Sequence, residues 1–194
     1  MAHFLTFSTY GTHLPGDERG TFDRHLGRLP APEPGLEKFA ASLMIEPPFH
    51  LDDPQDRRAV LETIIGLCQR REWRLIALHI RPTHVHGLVQ AERISPGRVV
   101  GDWKANASQV LKRRWPDRQR FWAHGAYTRS VKDSLDDVVA YILDGQGNPM
   151  ETYAATATDP TPHPNTYPAT DPTAHPNTSP ATDPTTSPTT YPAT

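Results

Sequence analysis

Three histidines fall within eight positions of one apolar segment, LHIRPTHVHGLVQ (residues 78–90). Residues two apart on a strand point to the same face, so His84 and His86 are expected to project side by side, with Val85 directed to the other face. Two neutral imidazoles in this arrangement supply half of a divalent-metal site, although a His-x-His pair is also typical of ordinary surface or core histidines. His79, on the preceding strand, is a weaker ligand candidate.

Cations and tryptophans are interleaved in the sequence that follows this segment. A single nucleic-acid strand is bound by such a mixture of positive charge and aromatic stacking platforms. The cations are Lys104, Lys112, Arg113, Arg114, Arg118, Arg120 and Arg129, and the tryptophans are Trp103, Trp115 and Trp122. Trp103 lies in the inward stripe of its predicted helix, where a tryptophan belongs to the core more often than to a binding surface. Solvated cations would give the same pattern.

Apolar periodicity predicts the elements that position these residues. Strands are expected over residues 3–10, 72–80, 84–90 and 121–131, the last as a strand or an extended segment. Helices are expected from Pro54 to about Arg71, from Pro96 onwards with Ser95 as its cap, and from Ser134 to Gly145. This order is that of an α+β, ferredoxin-like split βαβ domain, an antiparallel sheet with helices on one face.

The last 44 residues differ in composition from the rest of the chain. From residue 158 a unit of 12 residues, TDPTPHPNTYPA in its first copy, occurs three times. Frequent proline prevents helix and ladder formation, and little apolar surface is available for burial. We therefore predict a globular domain over residues 1–150 and a disordered Pro/Thr-rich tail over residues 151–194, in which His163 and His175 are spacer residues or weak metal ligands.

Charge and cysteine content narrow the class of protein. The net charge is −2, but all Lys and Arg residues precede residue 151, so residues 1–150 carry about +2, which is compatible with nucleic acid. Cys68 is the only cysteine, which excludes a disulfide framework and a cysteine zinc cluster. The N-terminus does not match a signal peptide, and no window approaches the roughly 18 apolar residues of a membrane span. A reduced, cytoplasmic location without membrane contact is expected.

Several short blocks, in order along residues 3–147, resemble the single-tyrosine HUH transposases, an insertion-sequence family related to the REP-associated tyrosine transposases. The blocks are RPTHVHGLV, DWKANASQVLKRRW and RFWAHGAYTRSVKDSLDDVVAYILDGQG, with TFSTYGTHLPGDERG upstream. The resemblance implies DNA transposition through cleavage and rejoining of single-stranded DNA, at hairpin-forming ends, by a tyrosine that forms a 5′-phosphotyrosine intermediate. It also implies a bound Mg²⁺ or Mn²⁺ that polarises the scissile phosphate.

The resemblance assigns roles to individual residues. Tyr141 matches the nucleophile, and at about 100° per residue it lies roughly 110° from the centre of its helix's apolar stripe, at the flank of the buried face. That stripe comprises Leu135, Val138, Val139 and Ile142. His84 and His86 match the metal ligands. Lys104 matches the family's helix lysine, and the implied DNA-binding set is Lys104, Lys112, Arg113, Arg114 and Arg120.

The third metal ligand departs from the family pattern. Relatives often carry Gln or Asn four residues after the tyrosine, where this chain has Gly145. Gln146 is favoured, because Gly145 can end the helix in a left-handed conformation and turn Gln146 back towards the metal. Asp144 is the alternative ligand.

Two other functions stay open. Loss of the usual ligand position favours a nucleic-acid-binding relative that no longer cleaves and has a regulatory role. A metal-dependent phosphoesterase using water in place of tyrosine would release its product without a covalent adduct. The resemblance also leaves open a monomer or a homodimer, with the tyrosine serving its own subunit or a partner's.

Overall fold

Capping residues and apolar periodicity explain where the main elements of the chain begin. The computed structural model describes residues 1–18, 31–148 and 150–156, and within these ranges the backbone forms five strands and four α-helices. In chain order they are β1 (Ala2–Ser8), α1 (Pro34–Ser42), α2 (Pro54–Arg70), β2 (Arg74–Ile80), β3 (His84–Gln90), α3 (Pro96–Arg114), β4 (Tyr127–Val131), α4 (Leu135–Leu143) and β5 (Glu151–Ala154). The Asp53 carboxylate accepts a hydrogen bond from the Gln55 amide at 2.8 Å and so caps the start of α2.

The strands form one antiparallel sheet in the order β4-β1-β3-β2-β5. The first four strands have the arrangement of a split βαβ domain, in which β3 lies between β1 and β2. The predicted α+β, ferredoxin-like fold is therefore confirmed. The strand β5 extends the sheet beyond β2.

The two faces of the sheet are covered by different helices. One face, which we call the long-helix face, buries the side chain of Trp103 from α3 and an apolar stripe of α2 that comprises Val60, Ile64, Leu67 and Cys68. Gly87 allows this packing, because a Cβ there would lie 2.6 Å from the Trp103 ring. On the other face, the α4 face, Val138 and Ile142 pack against a small apolar cluster that includes Phe4.

This division refines the predicted placement of the helices on one face, since α2 and α3 share a face and α4 lies opposite them. The apolar residues of β1 explain it, because Leu5 and Phe7 belong to the core of the long-helix face whereas Ala2 and Phe4 meet α4. Leu135, predicted to be inward, is 39% exposed at the first position of α4. Ser134 is the N-cap of that helix, but its side chain makes no capping hydrogen bond.

Two elements lie outside the sequence-based expectations. The helix α1 forms although none of its side chains is buried. Glu151–Ala154, assigned from sequence to the disordered tail, instead forms β5, and Glu151 pairs with Arg57 of α2. The folded part of the chain therefore continues past residue 150.

Some predicted features lie outside the described residues. They are the end of the TFSTYGTHLPGDERG block and the tail repeats with His163 and His175. Among the described helices, none is long and apolar enough to cross a membrane.

Candidate functional site

The two histidines of β3 project together onto the α4 face. Their ring centroids are 4.6 Å apart. The His86 Nδ1 lies 2.8 Å from the hydroxyl of Thr6, its cross-strand partner on β1, and the His84 Nδ1 lies 2.9 Å from the hydroxyl of Thr83. A hydroxyl can donate or accept, so these contacts fix the orientation of each ring in either neutral tautomer.

Gln146 connects the histidines to the tyrosine helix. Its Oε1 lies 3.0 Å from the His86 Nε2, and its Nε2 donates to the Tyr141 carbonyl oxygen at 3.2 Å. Asp144, the other ligand candidate, is the exposed C-cap of α4, so Gln146 is the candidate that the structure brings to the histidines.

Burial keeps both imidazoles neutral. It lowers the pKa of His84 to about 4, with His13 as the next cause, and the pKa of His86 to about 3, with His84 as the next cause. Neutral imidazole is the form that binds a metal ion, and an amide oxygen suits Mg²⁺ and Mn²⁺. Among the described residues, no group of three or more His, Cys, Asp and Glu side chains is arranged so that it could hold a metal ion. The donor set that fits an ion here is thus two imidazoles and the Gln146 amide oxygen.

Tyr141 lies at the flank of α4 and beside the histidines. Its side chain is 49% exposed, and its ring centroid is 5.8 Å from that of His86 and 6.0 Å from that of Phe4. Because Val138 and Ile142 are buried, the helix stays packed while the tyrosine faces the site. The structure thus brings together the residue that matches the nucleophile and the residues that match the ligands.

The turn after α4 depends on Gly145, for a reason different from the predicted one. The expected left-handed conformation at Gly145 is wrong, since the left-handed glycine of this turn is Gly147, with φ of +81°. A Cβ at position 145 would instead lie 2.8 Å from the Tyr141 carbonyl oxygen and 3.2 Å from its ring. Glycine at this position therefore permits close contact between the turn and Tyr141.

His79, the weaker ligand candidate, holds the tyrosine helix. Its side chain is fully buried, and its Nδ1 lies 2.7 Å from the Ile142 carbonyl oxygen, to which it donates. The register places His79 opposite His86. This contact fixes the last turn of α4 against β2.

The predicted DNA-binding cations lie on α3 and the segment after it, on the long-helix face or its edge. Lys104 donates to the carbonyl oxygens of Ala123 and Gly125 and lies over the Phe7 ring. Burial lowers the pKa of Lys104 to about 8. Arg114 pairs with Asp53 and Asp56 of α2, and Lys112 donates to the Arg118 carbonyl oxygen. Arg113 and Arg120 are exposed, as are the other two.

Other cations lie near Tyr141. Arg129 and Lys132 line the same cleft as Tyr141, at the edge of the α4 face. Sequence reasoning noted Arg129 only as one of a series of cations and did not identify Lys132, Thr6 or Thr83. The pairing register that places Thr6 beside His86 has no local sequence signal.

Comparisons with known proteins found one matching family model and similar solved structures. A family model described as "Transposase IS200 like" matches residues 50–144. A REP-associated tyrosine transposase solved with a REP hairpin is similar at 12% identity and a TM-score of 0.44. The match covers 73% of this chain and 64% of the transposase, so this chain spans less than two thirds of that protein's length. A protein of Deinococcus radiodurans R1, provisionally described as a transposase, is similar at 12% identity and a TM-score of 0.41, over 75% and 90% of the two chains. No curated protein matches the chain.

Proposed function

Because the chain belongs to the IS200-like transposase family, we propose that it cleaves and rejoins single-stranded DNA through Tyr141 as a step in DNA transposition. One observation carries the proposal. Tyr141, His86 and Gln146 lie in mutual contact on one sheet face, with His84 beside them. The resemblance to single-tyrosine transposases supports hairpin-forming DNA ends as the substrate in this proposal.

In this proposal His84, His86 and Gln146 hold Mg²⁺ or Mn²⁺. When bound, the ion supplies a Lewis acid beside the scissile phosphate. The oxygen of Tyr141 forms a bond to phosphorus while the bond between phosphorus and the 3′ oxygen breaks. The phenolic proton passes to solvent, to which the half-exposed ring is open, and the 3′ oxygen takes up a proton as it leaves. The 5′-phosphotyrosine link conserves the bond energy, so a 3′-hydroxyl can attack it and rejoin the strand.

An adduct assay tests the proposal. The protein is mixed with labelled hairpins from the flanks of its own coding region in Mn²⁺ and run on a denaturing gel, beside Tyr141→Phe and the control Tyr10→Phe. We expect a labelled protein band with the wild type and Tyr10→Phe, and none with Tyr141→Phe or in EDTA.

The other outcomes identify the alternatives. Cleaved product without a covalent band would indicate a phosphoesterase that uses water. Binding without cleavage would indicate a nucleic-acid-binding protein with a regulatory role. The glycine at position 145 favours this alternative, because members of the family often carry a Gln or Asn ligand there.

The same geometry supports a tyrosine that serves its own subunit, since Tyr141 and His86 of one chain are in ring contact. Mixing Tyr141→Phe with His86→Ala tests this arrangement. Each variant lacks one half of the site, so the mixture should form no adduct if the tyrosine acts within its own chain. Restored adduct would assign the tyrosine to a partner in a homodimer.

A further inference from the structure

We propose that the cleft between β4 and α4 binds the DNA strand beside the scissile phosphate, with Tyr127 stacking on one base and Arg129 contacting a phosphate. This inference rests on the proposed function, because Tyr141 forms part of the cleft wall. It gives a role to residues outside the predicted DNA-binding set.

The sheet register places Tyr127 in line with the candidate site. Thr6 of β1 pairs with His86 on one side and with Tyr127 on the other. Tyr127 and His86 therefore point to the same face and lie two strands apart, roughly 10 Å at the usual strand spacing. Arg129 pairs with Phe4 in the same way and projects onto the same face.

The cleft has an aromatic floor and two exposed tyrosines. Its volume is about 790 Å³. The Phe4 ring stands edge-on to Tyr127 at 6.2 Å and to Tyr141 at 6.0 Å between centroids, so one buried ring sets the position of both tyrosines. Tyr127 is 44% exposed, which leaves a ring face accessible to a base. The Arg129 guanidinium lies 5.9 Å from the centre of the Phe4 ring.

The charges of the cleft favour a nucleic-acid strand over a simple anion. Single strands bind where aromatic platforms alternate with cations, and Arg129 and Lys132 provide the cations. Asp133 and Asp137 also line the cleft. Carboxylates repel phosphates and accept hydrogen bonds from the amino groups of bases. The strand is therefore expected to direct its phosphates towards Arg129 and its bases towards Tyr127 and the two acids.

Substitutions in the full chain test the two roles separately. Binding of a fluorescent hairpin with a single-stranded extension is followed by anisotropy in EDTA, where no cleavage takes place. We expect Tyr127→Ala to weaken binding roughly 5- to 100-fold and Tyr127→Phe to retain it. A 2-aminopurine placed along the extension reports stacking directly, and its quenching should be lost in Tyr127→Ala alone.

The contact between Arg129 and a phosphate is tested by salt dependence. The slope of the logarithm of the binding constant against the logarithm of salt concentration should fall by about 0.7 in Arg129→Gln, since one phosphate contact is lost. Arg58→Gln and Phe39→Ala are matched controls, because both side chains are exposed and lie on α2 and α1. Neither control should change affinity or slope.

The outcomes separate this inference from the proposed function. The inference alone would be overturned by one result. In that result, Tyr127→Ala and Arg129→Gln leave the affinity, the quenching and the salt slope unchanged, while the wild type still forms the Tyr141 adduct. Loss of affinity in Tyr127→Ala with a wild type that forms no adduct would support the cleft and overturn the cleavage mechanism. A wild type that binds no DNA would overturn both.

Discussion

In the proposed metal site, we expect the third donor beside His84 and His86 to decide how tightly the ion is held. Gln146 has its amide oxygen 3.0 Å from the His86 Nε2, whereas Asp144 is exposed at the end of α4. We expect Gln146→Ala to weaken Mn²⁺ binding at least about tenfold and Asp144→Ala to leave it unchanged. The signal of free Mn²⁺ in electron paramagnetic resonance measures the binding. Weaker binding in Asp144→Ala alone would assign the third ligand to the carboxylate.

The neutral histidines also make stability depend on pH. Their folded pKa values of about 4 for His84 and about 3 for His86 lie below the 6.5 of an ordinary histidine. As pH falls from 6.5 towards 4, the unfolded chain binds protons that these folded imidazoles do not, so the free energy of unfolding decreases. We expect the melting temperature of the wild type in EDTA to fall between pH 7 and 4.5, and to fall less in the double variant His84→Gln/His86→Gln. Equal pH dependence in the two proteins would contradict these pKa values.

At the scale of elements, α4 positions Tyr141, and the turn at Gly145 packs closely against that residue. Alanine at position 145 would place a Cβ 2.8 Å from the Tyr141 carbonyl oxygen, so the helix end or the turn must move. A misplacement of about 1 Å lowers a rate by roughly 10- to 100-fold, which is the loss of adduct formation that we expect in Gly145→Ala. Gly101→Ala is the control, since its Cβ would meet open space. Full adduct formation by Gly145→Ala would show that the turn does not position the tyrosine.

The buried contact of His79 gives a second prediction for α4. Leucine at position 79 would leave the Ile142 carbonyl oxygen without its donor and cost about 1–3 kcal/mol of stability. We expect His79→Leu to melt at a lower temperature. Its rate of adduct formation should fall by a larger factor than its affinity for Mn²⁺. The exposed His50, as His50→Leu, is the matched control. A lower melting temperature with an unchanged rate of adduct formation would limit His79 to a structural role.

The sequence predicted those elements whose signal is local. The strand β3 begins and ends where its alternation predicted, and α2 begins at Pro54, as predicted. The helix α1 follows a proline-rich stretch and buries no side chain, so burial gave no pattern to recognise. In the site, the spacing of His84 and His86 predicted their pairing, but the contact with Thr6 requires the register between strands far apart in sequence.

At the scale of the whole molecule, the sheet separates structural from chemical roles. The long-helix face holds the larger core, including Trp103 and the stripe of α2, and the cations of α3 are largely tied to backbone and carboxylate groups there. The α4 face has a smaller apolar cluster and carries the largely buried histidines beside the half-exposed Tyr141. A substitution in the core of the long-helix face should therefore lower the stability of the protein more than it disturbs the site.

The strand β5 extends this architecture beyond the boundary predicted at residue 150. Glu151 pairs with Arg57, a largely buried side chain that also donates to the carbonyl oxygens of Leu51 and Asp52. A chain ending at residue 150 would leave the β2 edge open and Arg57 without its carboxylate, whereas a chain ending at residue 156 keeps both contacts. We expect the shorter chain to be less stable by roughly 2–3 kcal/mol, or about 4–12 °C in melting temperature.

Glu151→Gln in the chain ending at residue 156 separates the two contributions. It removes the charge of the ion pair and keeps the strand, so its melting temperature should lie between those of the two truncated chains. Chemical denaturation supplies a second measure. Loss of β5 reduces the surface exposed on unfolding, and so reduces the slope of the free energy of unfolding against denaturant concentration. Glu151→Gln should leave that slope unchanged. Identical stability of the two truncated chains would mean that the sheet is complete with four strands and that Arg57 is satisfied by the carbonyl oxygens of Leu51 and Asp52 alone.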